Sequence, residues 1–475
     1  MKHSLLALGA AAALLIPSAC STGSKADAAT EQRDSTWTTV NHPDWSRNAV
    51  IYEVNLRQFT DSGTVTAFAD HLPRLKELGA DILWFMPIHP ISEKDRKGTL
   101  GSYYAVKDYT AFNPEFGTLE QFKETVRKAH EQGMKVIIDW VPNHTGRDNR
   151  WVTEHPDWYK TDSLGNMVGI YDWTDVYVLD YSNPDTRKGM IDAMKFWITE
   201  ADVDGFRCDV AGEVPTDFWN ECREALQQAK PDVFMLAEAS KPELEQHAFD
   251  MAYNWPMKDL FSEIAATAGQ YTFKGADGTV RTFPERHAAT AIDSLLAVQA
   301  QEYPRDSYMM NMITNHDLNS WEGTEFERLG NLQGAFAVLT YTLPGMPLIY
   351  TGQETGMNRA FEFFEKDKAP DWTPNTYFEF YKTLNAMKHR EEALRAGEEG
   401  AQMKVYATTS PDLYVFSREK GDSKVTVLVN LGKADQAVTF TGEAPTVEGM
   451  KDLFMGTEAA IPETMAPGAY AVFTK

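Results

Sequence analysis

Between residues 205 and 213 the chain reads GFRCDVAGE. In an extended segment alternate side chains share a face, so Arg207 and Asp209 lie together, and a guanidinium beside a carboxylate favours its ionised form. An anionic oxygen held this way is a nucleophile. A second apolar run, VFMLAE at 233–238, ends in Glu238, and its spacing from Asp209 fits one helical crossover between parallel strands. Parallel neighbours lie about 4.8 Å apart, close to the roughly 5–5.5 Å between the two carboxyl groups that carry out covalent, retaining glycoside cleavage. A core ion pair is the alternative use of Arg207 and Asp209. Two more segments, DWVPNH at 139–144 and NHD at 315–317, add Asp139, His144, His316 and Asp317. Any one of these reads as readily as scaffold; their convergence on one face is the argument for a site.

That convergence needs a frame. Eight short apolar strands recur with helical stretches between them, at 50–52, 82–86, 136–138, 206–208, 233–236, 250–252, 310–313 and 347–350. The alternation is that of a parallel α/β fold, and eight units over this length fit a closed (β/α)8 barrel, whose active sites lie at the C-terminal strand ends. The segment at about 146–178 carries Trp151, Trp158, Tyr159, Tyr171 and Trp173 among turn residues, which is too long for an ordinary connection and reads as a small inserted domain walling a cleft. The expected organisation is a catalytic barrel over 45–390 and a C-terminal antiparallel β-sandwich over 391–475, where alternation at LYVF (413–416), at Val425, Val427 and Val429, and at YAVF (470–473) replaces the helical texture.

Residues 1–20 have a basic start, an apolar run and small residues leading to Cys20, which reads as an export signal of lipoprotein type, followed by a polar tether over 21–44. The expected location is therefore the bacterial cell envelope, periplasmic or outer-membrane, with a lipid on Cys20 as the membrane contact. Cys208 and Cys222 remain as two buried thiols without a disulfide framework. The formal net charge of −24 excludes nucleic acid as a partner, since phosphates would be repelled, and leaves a neutral substrate as the better match.

The four blocks DWVPNH (139–144), GFRCDVAGE (205–213), FMLAEA (234–239) and ITNHD (313–317) resemble, in order and spacing, those that define the α-amylase superfamily, glycoside hydrolase family 13. The resemblance covers roughly residues 45–475. It implies Asp209 as nucleophile, Glu238 as general acid and then base, and Asp317 as the carboxylate that holds sugar hydroxyls, with Arg207 orienting Asp209. His144 and His316 match the family's hydroxyl donors, and Tyr104 matches the tyrosine that stacks on the sugar, with Tyr103 as the competing choice. The implied activity is retaining hydrolysis of α-1,4-glucosidic bonds in starch, maltodextrins or maltooligosaccharides. An α-glucanotransferase, or an enzyme like the cyclomaltodextrinases and neopullulanases, is the alternative, and a non-catalytic glycan-binding protein is the reading from another class. Where typical α-amylases place a lysine and a histidine after the nucleophile, this chain has Ala211-Gly212-Glu213, which sets it apart in substrate rather than in reaction. Calcium is the one cofactor raised, with Asn143 as its candidate ligand and Asp172 or Asp175 as carboxylate partners.

Overall fold

The computed structural model describes residues 37–269 and 287–475; Cys20 and the expected export signal lie outside them. Eight parallel strands close into a barrel: β1 (Ile51–Val54), β2 (Ile82–Phe85), β3 (Lys135–Trp140), β4 (Gly205–Cys208), β5 (Phe234–Ala237), β6 (Met251–Tyr253), β7 (Tyr308–Asn311) and β8 (Met346–Tyr350). Each pairs with its neighbours in sequence, and β8 returns to β1. These are the eight strands expected, with ends displaced by a residue or two.

Each strand faces two ways. Ile51, Trp84, Ile137, Leu236, Tyr253 and Met310 fill the barrel interior, whereas Tyr52, Phe85, Ile138, Phe206 and Cys208 pack outward against the helices. Two residues beyond the apolar fill, the interior positions become charged: Glu53 follows Ile51, Asp139 follows Ile137 and Arg207 follows Gly205, all three fully buried. Gly205 is dictated by the approach of β5, since a Cβ there would lie 1.8 Å from the carbonyl oxygen of Phe234. That close packing brings the ends of β4 and β5 side by side.

The expected tether overruns into the barrel. Thr38 and Thr39 bond the carbonyls of Glu245 and Gln246, and buried His42 places Nδ1 2.9 Å from Asp250 Oδ1 and stacks on Tyr308 at 4.3 Å. After β3 the chain leaves the barrel in a two-stranded ribbon, His144–Gly146 against Val176–Val178, and returns through the helix Pro184–Ala201, capped by Asn183 with proline at its first position. The C-terminal region is a five-stranded antiparallel sheet: β9 (Met403–Val405), β10 (Leu413–Lys420), β11 (Ser423–Asn430), β12 (Lys451–Asp452) and β13 (Tyr470–Thr474), ordered β9-β10-β11-β13-β12. One face, with Phe416, Val425, Val427 and Val429, joins the main core; the other packs Val415, Leu428 and Phe473 on Met465 of a short ribbon. Buried Arg418 bonds the carbonyl of Thr342 and fastens this sheet to the barrel.

Candidate active site

One guanidinium organises the C-terminal mouth of the barrel. Arg207 Nη1 is 3.0 Å from Asp139 Oδ1 and 3.0 Å from Asp209 Oδ1, while Nη2 is 3.0 Å from Glu238 Oε2, a charge contact without an aligned hydrogen bond. Its Nε donates to Tyr253 Oη at 3.0 Å, and its plane sits 5.0 Å from the Trp84 ring. Three carboxylates thus share one fixed cation. Burial, then the charges of Glu238, Asp139 and Asp317, push the Asp209 carboxyl well above the usual range against the pull of Arg207. The expectation that Arg207 alone would hold Asp209 ionised is corrected by that surplus of acid. Burial likewise lifts Asp139 to about 6, although Arg207 and His316 oppose it. The resting site therefore keeps a proton among these acids, and in so tight a group that proton belongs to the set.

A second chain of bonds crosses the floor. His316 Nδ1 lies 2.5 Å from Glu53 Oε1, and its Nε2 lies 2.8 Å from Tyr104 Oη and 3.4 Å from Asp317 Oδ2. Burial disfavours the imidazolium, but Asp317 and Glu53 outweigh it and raise His316 to about 9. Doubly protonated, His316 donates to Glu53 and to Tyr104, whose hydroxyl then donates to Asp139 Oδ2 at 3.1 Å. The direction of every bond from Glu53 to Asp139 follows from that one charge. Tyr103 takes no part: its hydroxyl donates to Asn55 Oδ1 and its ring lies 4.1 Å under Arg57.

Between the two strand-end acids the backbone is strained. Val210 has φ +46°, a left-handed conformation that costs a β-branched residue of order 1–3 kcal/mol. The strain turns its N–H onto Glu238 Oε2 at 2.8 Å, while the Glu238 N–H donates to the carbonyl of Cys208 at 3.0 Å.

The profile described as "Alpha amylase, catalytic domain" matches residues 28–165 and 170–397. The chain belongs to the alpha-amylase family. It is a glycoside hydrolase of that family, similar to the cyclomaltodextrinase of Thermoanaerobacter pseudethanolicus, with 27% identity over 86% of this chain and 74% of that protein. Neopullulanase 2 of Thermoactinomyces vulgaris is 28% identical over 82% of this chain and 70% of its own length. Among solved structures, a noncanonic maltogenic alpha-amylase from Thermotoga neapolitana superposes with a TM-score of 0.75 at 28% identity, covering 90% of this chain and 96% of that one.

Within this alpha-amylase frame the other expected residues fall as follows. Asp317 stands at the mouth with its side chain 37% exposed, and His144 is buried, neutral with its pKa lowered to about 4 by burial, and edge-on to Trp173 at 5.2 Å. Asn143 is buried, with Nδ2 3.3 Å from His144 Nδ1. Of its expected carboxylate partners, Asp175 is buried 3.7 Å from the Lys97 ammonium and Asp172 is exposed. After the nucleophile, Gly212 accepts a bond from Lys241 Nζ and Glu213 bonds the hydroxyl of Tyr171, which stands 66% exposed at the tip of the excursion. Sequence reasoning missed Glu53, Tyr253 and Val210. Glu53 was findable as a lone acid two residues along the face of Ile51 in IYEVN.

Proposed function

We propose that this enzyme is a retaining hydrolase of short α-glucans, closer to the cyclomaltodextrinases and neopullulanases it is similar to than to an endo-acting α-amylase. The observation that carries the reaction type is the single guanidinium 3.0 Å from both Asp209 and Glu238 at the ends of adjacent strands, which supports the close carboxyl pair that double displacement uses. Asp209 attacks the anomeric carbon and the bond to the glycosidic oxygen breaks, with Glu238 delivering the proton that oxygen needs. Once Asp209 is esterified its charge is gone, Glu238 is left as the base, and it activates water on the same face. Asp317 and His316 hold the hydroxyls of the sugar being cleaved, and Tyr104, tied to His316 and Asp139, forms its floor. Residues Ala211-Gly212-Glu213 and the overhanging Tyr171 support a short acceptor side.

The test is a product profile. Rapid hydrolysis of cyclodextrin and maltoheptaose, slow attack on starch, and first products of α configuration are expected; fast endo-cleavage of starch with cyclodextrin untouched would refute the substrate reading. Transfer to a second sugar shares the same intermediate and would appear as products longer than maltoheptaose. For location, we infer an envelope lipoprotein from the leader ending in Cys20. Cys20→Ser should release the protein from the membrane fraction, and unchanged partitioning would sink that inference.

A further inference from the structure

Beyond Tyr104 the aromatic surface continues. Its ring is parallel to Phe363 within 11° at a centroid distance of 6.3 Å, and Phe363 lies 5.3 Å from Trp321. Trp321 is 48% exposed, so a large apolar face stands in water at the rim of a reaction centre. These rings are held in place. Trp321 sits in a π-helical turn, Leu318–Glu322, that begins directly after Asp317, a rare geometry that recurs at functional sites. Asn319 in that turn donates to the carbonyl of Arg359 and accepts from the N–H of Phe361. On the Phe363 side, Arg57 bonds the Phe363 carbonyl, Gln58 bonds those of Glu362 and Glu365, and the N–H of Leu100 bonds the Phe364 carbonyl. Loops after β1, β2, β7 and β8 therefore fix one surface, which is what an unligated binding face requires if it is to bind without ordering cost.

Barrel order gives that surface its direction. Asp209 and Glu238 end adjacent strands β4 and β5, while Trp321 and Phe363 follow β7 and β8 on the far arc. The leaving half of the substrate lies toward the acid that protonates it, so the half retained on the nucleophile runs across Tyr104 toward β7 and β8. We infer that Phe363 and Trp321 form a stacking rail for the retained half of the glucan, and that Trp321 recognises glucose units beyond the one attacked. Sugar rings present apolar C–H faces to such a surface, and aromatic contact of this kind tolerates a repeating chain. The inference rests on the α-glucan reading of the site. Its consequence is that the enzyme prefers bonds with at least two glucose units on the retained side.

The experiment compares Trp321→Ala, Trp321→Phe and wild type on two substrates: maltopentaose labelled at its reducing end, and 4-nitrophenyl α-glucoside, which has one glucose on the retained side. In Trp321→Ala, kcat/KM on maltopentaose should fall about tenfold, or ~1.4 kcal/mol, mainly through KM, with a loss at least fivefold larger than on the glucoside. Cleavage should shift toward removal of single glucose units from the non-reducing end, and Trp321→Phe should restore most of the wild-type pattern. Equal losses on both substrates, or an unchanged cleavage pattern, would overturn the rail. A wild-type enzyme inactive on every α-glucan would instead overturn the substrate reading beneath it.

Discussion

Glu53→Gln is the most telling single change, because it removes a charge without altering shape and touches the substrate nowhere. Burial opposes the charge on His316, yet it is raised from 6.5 to about 9: the charge of Asp317 is the largest single favourable contribution, and Glu53 adds both its charge and its hydrogen bond. At 1.36 kcal/mol per unit the whole shift is worth ~3.4 kcal/mol, and losing the Glu53 charge should take back roughly 1–2 units of it. His316 in the variant then titrates near ~7.5, and above that pH Nε2 no longer donates reliably to Tyr104 or to a sugar hydroxyl. Glu53 is itself pushed upward by burial despite the pairing, so the net stability of the pair is smaller than the His316 shift alone, and the prediction is placed on activity. The sign is fixed: a histidine raised on folding contributes below about 6.5 and loses its contribution as pH rises through the folded value. The assay is kcat/KM on maltoheptaose from pH 6 to 8.5, expressed as the ratio of variant to wild type, in which every ionisation common to the two enzymes divides out. The ratio should fall roughly eightfold over that range. A flat ratio would refute the claim that His316 works as an imidazolium fixed by Glu53.

Asp209→Asn and Glu238→Gln should each lower kcat on glucans by at least ~10²–10⁴-fold with native melting behaviour, and retained hydrolysis in either would end the double-displacement reading. Asp139→Asn removes a negative neighbour of Asp209, so Asp209 ionises more readily and the acid limb of kcat/KM should move to lower pH; movement upward would contradict the shared-proton picture. Chelator treatment should leave both the melting temperature and activity unchanged, since Lys97 already faces Asp175, and a loss restored by calcium would overturn that assignment. At the base of the barrel, Asp204 bonds His130 and Lys230 and is lowered to about 2. Its stabilisation of about 2 kcal/mol is present above pH 3.8 and lost as pH falls through about 2. Asp204→Asn should therefore lower the melting temperature at pH 7, by an amount that shrinks toward pH 2.

What could be read from the sequence was whatever sits at the end of an apolar strand. Asp209 and Glu238 are adjacent to runs whose burial on both faces announces a parallel barrel, so their positions follow from counting residues. Glu53 escaped because β1 was read as ending at Tyr52; the strand runs to Val54, and an acid inside a doubly buried strand can only belong to a charged interior layer. Val210 lies past the strand read at 206–208, and no local pattern marks a valine as left-handed, since the conformation is unfavourable for a β-branched residue. Phe363 and Trp321 come from loops without periodicity, held by bonds to Arg57 and Asn319 that no local pattern records. His42 looked like part of a tether because its partner, Asp250, is distant in the chain.

The charges at the barrel mouth do not balance, and the imbalance has a use. Five carboxylates, Glu53, Asp139, Asp209, Glu238 and Asp317, surround two cations, Arg207 and protonated His316. At rest the excess is relieved by retained protons, which is why burial and mutual repulsion drive Asp209 upward and hold Asp139 near 6. A neutral sugar entering the site brings no charge to relieve it further. As the glycosidic bond breaks, positive charge develops on the ring and one carboxyl proton departs with the leaving oxygen, so the surplus negative charge meets the developing cation at that moment. The arrangement is costly in the free enzyme and favourable in the transition state, and Arg207, bound to both sides of the reaction, sets how large that difference can be without the acids flying apart.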